Sequence, residues 1–160
     1  AVTLYNSLRF LLHHDLLNRP SQLTETEKKT LTDLPVKLEQ LTEMFDYFTE
    51  EKGVLLSHGE RYDGHGYPMG LSGDEIPLAS RIFALANALA AMSSPRPFRP
   101  ELPATKILEE LVQEAGRQFD PGLVHTSLLA LEKNKAFGLE SECYKTLRNK
   151  LYNSFPDLRR

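Results

Sequence analysis

Cysteine is scarce in this sequence, and neither sign of charge is in large excess. One thiol, Cys143, among 160 residues excludes a disulfide framework and a zinc finger built from cysteines. The 19 basic and 22 acidic residues give a net charge of −3, which excludes the basic footprint of a nucleic-acid-binding domain. No apolar run approaches the roughly 18 residues that a membrane span needs. We therefore expect a cytoplasmic protein without nucleic-acid or membrane partners.

The rest of the composition is that of an ordinary globular domain. Apolar residues make up 41% and charged residues 26% of the sequence, which excludes a disordered or collagen-like chain. A chain of 160 residues has the size of one domain and buries roughly 70% of its unfolded surface. The sequence begins at Ala1 rather than at Met, so we expect it to be part of a longer chain.

Apolar residues recur at three- and four-residue spacing along most of the chain, which predicts helices and no strand of useful length. Thr24 and Glu27 form a capping box that begins one helix. Another is expected from Pro35 to a stop at Gly53. Four more are predicted to begin near Pro77, Pro103, Leu123 and Glu140. The sequence thus predicts an all-α bundle of about six or seven helices.

The helix predicted from Pro77 or Leu78 to about Met92 is apolar on nearly every side, which favours a buried central position. The segment before it, Ser57 to Ile76, has no helical period and is rich in glycine. Irregular segments longer than about 12–15 residues inside a domain are uncommon and are usually functional or disordered. Because this one carries apolar residues that can anchor it, we expect an ordered, functional loop.

Residues 58–71, HGERYDGHGYPMGL, resemble the signature of the HD-GYP family, a branch of the all-helical HD metal-dependent phosphohydrolases. The resemblance runs from about residue 5 to residue 131 and includes Leu17-Asn18-Arg19-Pro20 and Phe119-Asp120-Pro121. It implies an HD-domain-like bundle with a long, ordered Gly-Tyr-Pro loop packed over the mouth of the former active site. It also implies a domain over 1–132, with helices missing before it, and a helical extension over 133–160.

Active members of this family hydrolyse cyclic di-GMP with two or three iron or manganese ions, held by histidine and aspartate. Such ions clamp the phosphodiester and generate the attacking hydroxide. Carried over one by one, the ligand positions fall on Tyr5, Asn6, Leu34, His58, Gly59, Asn87 and Ala90. Of these, only His58 keeps the family's ligand. The resemblance therefore predicts that the binuclear site is lost, with no catalytic residue, no metal and no cofactor.

His14-Asp15 is a literal His-Asp pair, but its spacing differs from that of the family. The family places a phosphate-contacting lysine four residues after the histidine. Four residues after Tyr5 stands the cation Arg9, whereas Asn18 follows His14. We therefore interpret His14-Asp15 as a surface pair. His65 is expected to be exposed, and His13 and His125 are expected at the surface without a partner pattern.

Two groups of residues are expected to keep a function. Arg9, Arg96 and Arg99 match positions that contact ligand phosphates in the family, and arginine holds phosphate without a metal. The alternative is that they are three surface arginines in weak ion pairs. The second group is the loop, where Glu60, Arg61 and Asp63 are expected to act as internal braces. Its predicted interaction residues are Glu60, Arg61, Asp63, Gly64, Gly66, Tyr67 and Pro68.

Three functions remain open at this point. The first is a catalytically inactive regulatory module of cyclic di-GMP signalling, for example in a response regulator, that binds a diguanylate cyclase or another signalling protein through its loop. The second is a cyclic di-GMP phosphodiesterase whose metal site is rearranged around His13, His14, Asp15 or His58. The third is a metal-free cyclic di-GMP receptor that uses the three arginines. The C-terminal helix is a candidate contact for a homodimer.

Overall fold

The computed structural model describes residues 24–33, 53–54, 56–95 and 100–159. The described part is helical, and two isolated β-bridges are its only extended pairing. It contains the helices α1 (Glu25–Thr32), α2 (Leu78–Met92), α3 (Ala104–Gln113), α4 (Pro121–Lys133) and α5 (Ser141–Ser154), and 3₁₀ turns at Gly73–Glu75 and Pro156–Arg159. The predicted all-α fold is confirmed. No helix in these ranges has the length and apolar character needed to cross a membrane.

Short polar caps begin two of the described helices, α1 and α4. Thr24 donates its backbone N–H to Glu27 Oε2 at 2.8 Å and accepts the Glu27 N–H at 3.3 Å, so the predicted capping box is confirmed. Asp120 accepts the backbone N–H groups of Gly122 and Leu123 at 2.8 and 3.3 Å. Because Asp120 is the N-cap and Pro121 fits the first helical position, α4 begins two residues before the predicted start.

The predicted helix stop at Gly53 is wrong. Residues 53, 54, 56 and 57 are helical, and the chain turns only after Ser57, whose carbonyl accepts the Glu60 N–H at 3.2 Å. One glycine costs a helix only about 1 kcal/mol, and the apolar residues that follow continue the helical pattern. The part of that predicted helix before residue 53 lies outside the described residues.

Helices α3, α4 and α5 bury a common core together with one side of α2. The fully buried members are spread over three helices and include Leu108, Leu111, Val124, Leu128 and Tyr144. Each large apolar side chain taken from water contributes about 1.5–3 kcal/mol. The apolar face of α5 therefore belongs to the same core as α3 and α4. A homodimer contact through α5 stays a prediction and would have to use the outer face of this helix.

Helix α2 is only partly buried, so the predicted buried central position is wrong. Phe83, Leu85 and Met92 are buried. Leu78 and Ile82, one turn apart, are 55% and 49% exposed. The difference has a geometric cause: in the described structure α2 packs on α4 and on the loop, and these cover part of its circumference. Periodicity alone cannot show which part of an all-apolar helix finds a partner.

Candidate interaction site

Glu60 organises the Gly-Tyr-Pro loop (residues 58–76) from the inside. Its buried carboxylate accepts three backbone N–H groups, from Met69 at 2.7 Å, Gly70 at 3.2 Å and Leu71 at 3.1 Å. A buried carboxylate is costly unless hydrogen bonds replace its water, and bonds to an ionised acceptor are the stronger kind. Glu60 therefore holds residues 69–71 against the start of the loop.

Arg61 and Asp63 form the second brace. Arg61 donates from Nε to Asp63 Oδ1 at 3.1 Å and from Nη2 to Asp63 Oδ2 at 2.9 Å, and the His65 backbone N–H adds a bond of 3.1 Å. The Arg61 bonds lower the pKa of Asp63 to about 2. The same bonds raise the pKa of Arg61, which also lies 3.5 Å from Glu114. The predicted bracing role of Glu60, Arg61 and Asp63 agrees with this geometry.

Two glycines allow the loop to fold back on itself. A Cβ atom on Gly66 would lie 2.3 Å from the Arg61 backbone nitrogen and 2.4 Å from Glu60 Cα, so no side chain fits there. Gly64 has φ +79°, in the left-handed region that favours glycine. These two positions return the chain from the braces to the tip of the loop, at residues 67–69.

Tyr67 fills the space next to Gly59. A Cβ atom on Gly59 would lie 2.6 Å from the Tyr67 ring, and the Tyr67 N–H donates to the Gly59 carbonyl at 3.1 Å. Position 59 is the one that the resemblance assigns to the second histidine of the family signature. In this chain an aromatic ring takes the room that a side chain at position 59 would need.

The tip of the loop presents apolar side chains to solvent. Tyr67 and Met69 are 36% and 54% exposed, and Pro68 between them is also exposed. His65, beside the tip, is 84% exposed, in agreement with its expected surface position. The loop therefore combines a braced interior with an apolar outer end.

The base of the loop is tied to two helices through Arg81 on α2. One nitrogen of Arg81, Nη1, donates to Asp74 Oδ1 and to Asp120 Oδ2, both at 2.7 Å. Tyr62 lies in the same region, and its pKa is raised by burial and by the charges of Asp120 and Asp74. The 3₁₀ turn, α2 and the start of α4 are thereby fixed relative to one another.

A pocket of about 450 Å³ lies beneath the loop, against α2. Its lining includes His58, Gly59, Arg61, Tyr67, Asn87 and Gln118. The His58 ring meets the Phe83 ring edge-on, with centroids 5.9 Å apart. The structure thus brings together three of the predicted ligand positions, His58, Gly59 and Asn87. Ala90 is exposed on α2, one turn beyond Asn87.

The described residues do not fit the binuclear iron or manganese centre that the resemblance implies. Across these ranges, no three His, Cys, Asp or Glu side chains stand close enough to share a metal ion. Of the described residues that line the pocket, His58 and His65 offer nitrogen and Asn87 a neutral amide. The Glu60 carboxylate is engaged by three backbone N–H groups. A metal centre needs several ionised or imidazole ligands directed at one point.

Several predicted site residues lie outside the described residues, and their roles stay predictions. They are the ligand positions Tyr5, Asn6 and Leu34, the arginines Arg9, Arg96 and Arg99, and the alternative metal residues His13, His14 and Asp15.

Sequence reasoning missed two long-range contacts. His125, expected at the surface without a partner, is half-buried and shares a 2.9 Å hydrogen bond with the Tyr152 hydroxyl. Burial, with the nearby charge of Arg148, lowers its pKa. The contact of Arg61 with Glu114 was likewise not predicted. Both contacts join residues far apart in sequence, so no local motif indicates them.

Comparison with known sequences identifies the family of this region. The pattern that defines the HD domain matches residues 13–123, more than half of the chain. The match covers the described loop, all of α2 and α3, and the start of α4.

The similar proteins are bacterial phosphodiesterases of cyclic dinucleotides. The chain is 35% identical over 130 residues to the cyclic di-GMP phosphodiesterase response regulator RpfG of Xanthomonas campestris, covering 80% of this chain and 34% of that protein. It is 31% identical over 125 residues to a cyclic di-GMP phosphodiesterase of Vibrio cholerae, covering 74% and 25%. A 3'3'-cGAMP-specific phosphodiesterase 3 of the same organism is 27% identical over 157 residues, covering 98% and 30%. The chain thus spans about a third or less of these relatives.

Proposed function

Because the chain belongs to the HD domain family, in its HD-GYP branch, we propose that it is a catalytically inactive regulatory module of bacterial cyclic di-GMP signalling. It acts by binding a signalling protein, such as a diguanylate cyclase domain, through residues 60–69 of the Gly-Tyr-Pro loop. The substrate named for its relatives supplies the signalling context. The residues that line the pocket support inactivity. The ordered loop with its exposed tip supports binding.

The observation that carries the proposal is the small set of metal-binding groups among the described residues that line the pocket. Hydrolysis of a phosphodiester by this family needs metal ions that lower the pKa of water and hold the phosphoryl group. In this chain the second histidine position is glycine, and the room beside it holds an aromatic ring. Among the described residues of the pocket, His58, His65 and Asn87 supply too few ligands for two ions. This donor set supports a site that no longer performs metal-assisted hydrolysis.

The loop supports a role in protein binding. Its braces, through Glu60, Arg61 and Asp63, hold the tip in one conformation before a partner arrives. A surface that is ordered in advance loses little conformational entropy on binding. Exposed aromatic and methionine side chains, as at Tyr67 and Met69, are enriched at protein interfaces.

The first experiment measures metal content and turnover on one purified sample. We expect less than about half an equivalent of iron, manganese or zinc, because the donor set of the described pocket is too small for a binuclear centre. We also expect no hydrolysis of cyclic di-GMP or 3'3'-cGAMP above a metal-free blank. Turnover above the blank contradicts inactivity and favours the rearranged site around His13, His14, Asp15 or His58.

The second experiment tests the loop with a purified diguanylate cyclase domain as the probe. The double variant Tyr67→Ser and Met69→Ser should weaken binding at least about tenfold, since interface aromatic residues carry much of the binding energy. Leu129→Ser is the matched control, because Leu129 is a 44% exposed apolar residue on α4, outside the loop. Equal affinities for the loop variant and the control would remove the loop from the proposal.

A second candidate is a metal-free receptor for cyclic di-GMP. The pocket of about 450 Å³ favours it, because His58, Arg61 and Gln118 give that pocket a polar lining. Calorimetry with cyclic di-GMP tests it, and the Arg96→Ala variant should weaken any binding observed. Absence of binding heat removes the receptor and leaves the protein-binding proposal in place.

A further inference from the structure

The turn Glu114–Phe119, between α3 and α4, touches the Gly-Tyr-Pro loop on one side. Its carbonyl groups accept two backbone N–H groups of the loop, from Asp63 to Arg117 at 2.8 Å and from Tyr62 to Gln118 at 3.3 Å. These are backbone bonds, so the position of the loop depends directly on the path of the turn.

The same turn touches the C-terminal end of α5 through Gly116. Gly116 has φ +77°, and a Cβ atom on it would lie 2.6 Å from the Phe155 ring. Glycine is thus required twice, by the left-handed backbone and by the ring that closes on it. Phe155 directly follows α5 and also packs against the shared core.

The turn is rigid enough to connect the two contacts. The Glu114 carbonyl accepts N–H groups of residues 117, 118 and 119 at 3.0–3.1 Å, and Gly116 N–H donates to Phe119 O at 2.8 Å. Ala115 and Phe119 are both buried in the core. Because close-packed groups move together, a displacement at Gly116 shifts the carbonyls of Arg117 and Gln118.

We propose that the seating of Phe155 on Gly116 positions the Gly-Tyr-Pro loop, so that the C-terminal segment regulates it. The Arg61–Glu114 ion pair adds a side-chain connection between the turn and the loop. The use of this coupling in signalling rests on the proposed function, whereas the coupling itself does not.

Hydrogen exchange of backbone amides, followed by NMR on the full chain, measures the coupling between Phe155 and the loop without a partner. In Phe155→Ala we expect the Tyr62 and Asp63 amides to exchange at least about tenfold faster relative to amides in the middle of α4. The Met69 amide, bound to Glu60 inside the loop, should keep its protection relative to α4. This pattern reports opening of the contact between loop and turn, rather than unfolding of the loop.

Leu147→Ala is the matched control. Leu147 is a buried core residue on α5. Its truncation should speed the exchange of the loop amides and of the α4 amides in parallel. If Phe155→Ala fails to fold, Phe155→Leu decides, since leucine keeps an apolar side chain but removes the ring from Gly116. A parallel change in all amides, or no change at Tyr62 and Asp63, overturns the coupling, whatever the outcome of the partner-binding experiment.

Discussion

The loop should depend on the Glu60 carboxylate, and the Glu60→Gln variant tests this with almost no change in shape. The wild-type carboxylate accepts three backbone N–H groups, two through Oε1 and one through Oε2. A glutamine oxygen in place of Oε1 can still accept from Met69 and Gly70. The amide nitrogen then faces the Leu71 N–H, so one charge-assisted bond is lost and two donors oppose each other.

A hydrogen bond to a charged group is worth about 1.5–3 kcal/mol, so we take about 2 kcal/mol as the local cost. At 1.36 kcal/mol per factor of ten, this corresponds to roughly thirtyfold faster exchange of the Leu71 amide. The loop forms a surface segment, so we expect it to open locally, with a smaller effect on thermal unfolding. Amide hydrogen exchange by NMR, compared residue by residue with the wild type, measures the change.

Glu75→Gln provides the control, because the Glu75 carboxylate also accepts a backbone N–H in this loop, from Ser72 at 3.0 Å, but is exposed. It should leave the exchange of Leu71 unchanged. A Glu60→Gln protein whose Leu71 amide exchanges within about threefold of the wild type would refute the bracing argument, since the lost bond would then have contributed under 1 kcal/mol.

Three further predictions concern charge and packing. The bond from Arg61 holds the pKa of Asp63 at about 2, below its ordinary 3.8, so this group adds stability above about pH 4 that is lost toward pH 2. Asp63→Asn should therefore lower the urea midpoint at about pH 7, and by less at about pH 2.5. His125 has a lowered pKa, so it adds stability above its ordinary 6.5 that is lost as the pH falls. Thermal unfolding at about pH 7.5 and pH 5.5 should show this loss, and His125→Gln should reduce it. Gly66→Ala should cost about 1–3 kcal/mol, because its Cβ meets rigid backbone at 2.3 Å. Gly53→Ala, with nothing within 4 Å of its Cβ, should instead gain about 0.5–1 kcal/mol, and urea unfolding compares the two.

Local signals in the sequence account for much of the fold. Pro77 sets the start of α2, and the Thr24–Glu27 box sets the start of α1, because these features act over a few residues. The stop expected at Gly53 failed, since a glycine's effect depends on the residues around it. The exposed side of α2 was missed, because an apolar helix does not reveal which of its faces is covered.

The contacts of the candidate site also differ in how far the sequence predicts them. The bracing by Glu60, Arg61 and Asp63 follows from a compact motif, and both braces act within eleven residues. The contact of Gly59 with Tyr67 was not foreseen, although both residues belong to that motif. The sequence shows that position 59 is a glycine, but only the structure shows that the Tyr67 ring occupies the space beside it. The contacts of the turn with Phe155 and of Arg61 with Glu114 join distant segments and have no local signature.

The contact between Gly59 and Tyr67 also constrains how this sequence can evolve. A histidine at position 59 would need the space of the Tyr67 ring, and that ring forms part of the exposed tip. In the present conformation, the Tyr67 ring and a side chain at position 59 compete for one volume. A single substitution that adds a side chain at position 59 must therefore move the ring, and with it the exposed tip of the loop.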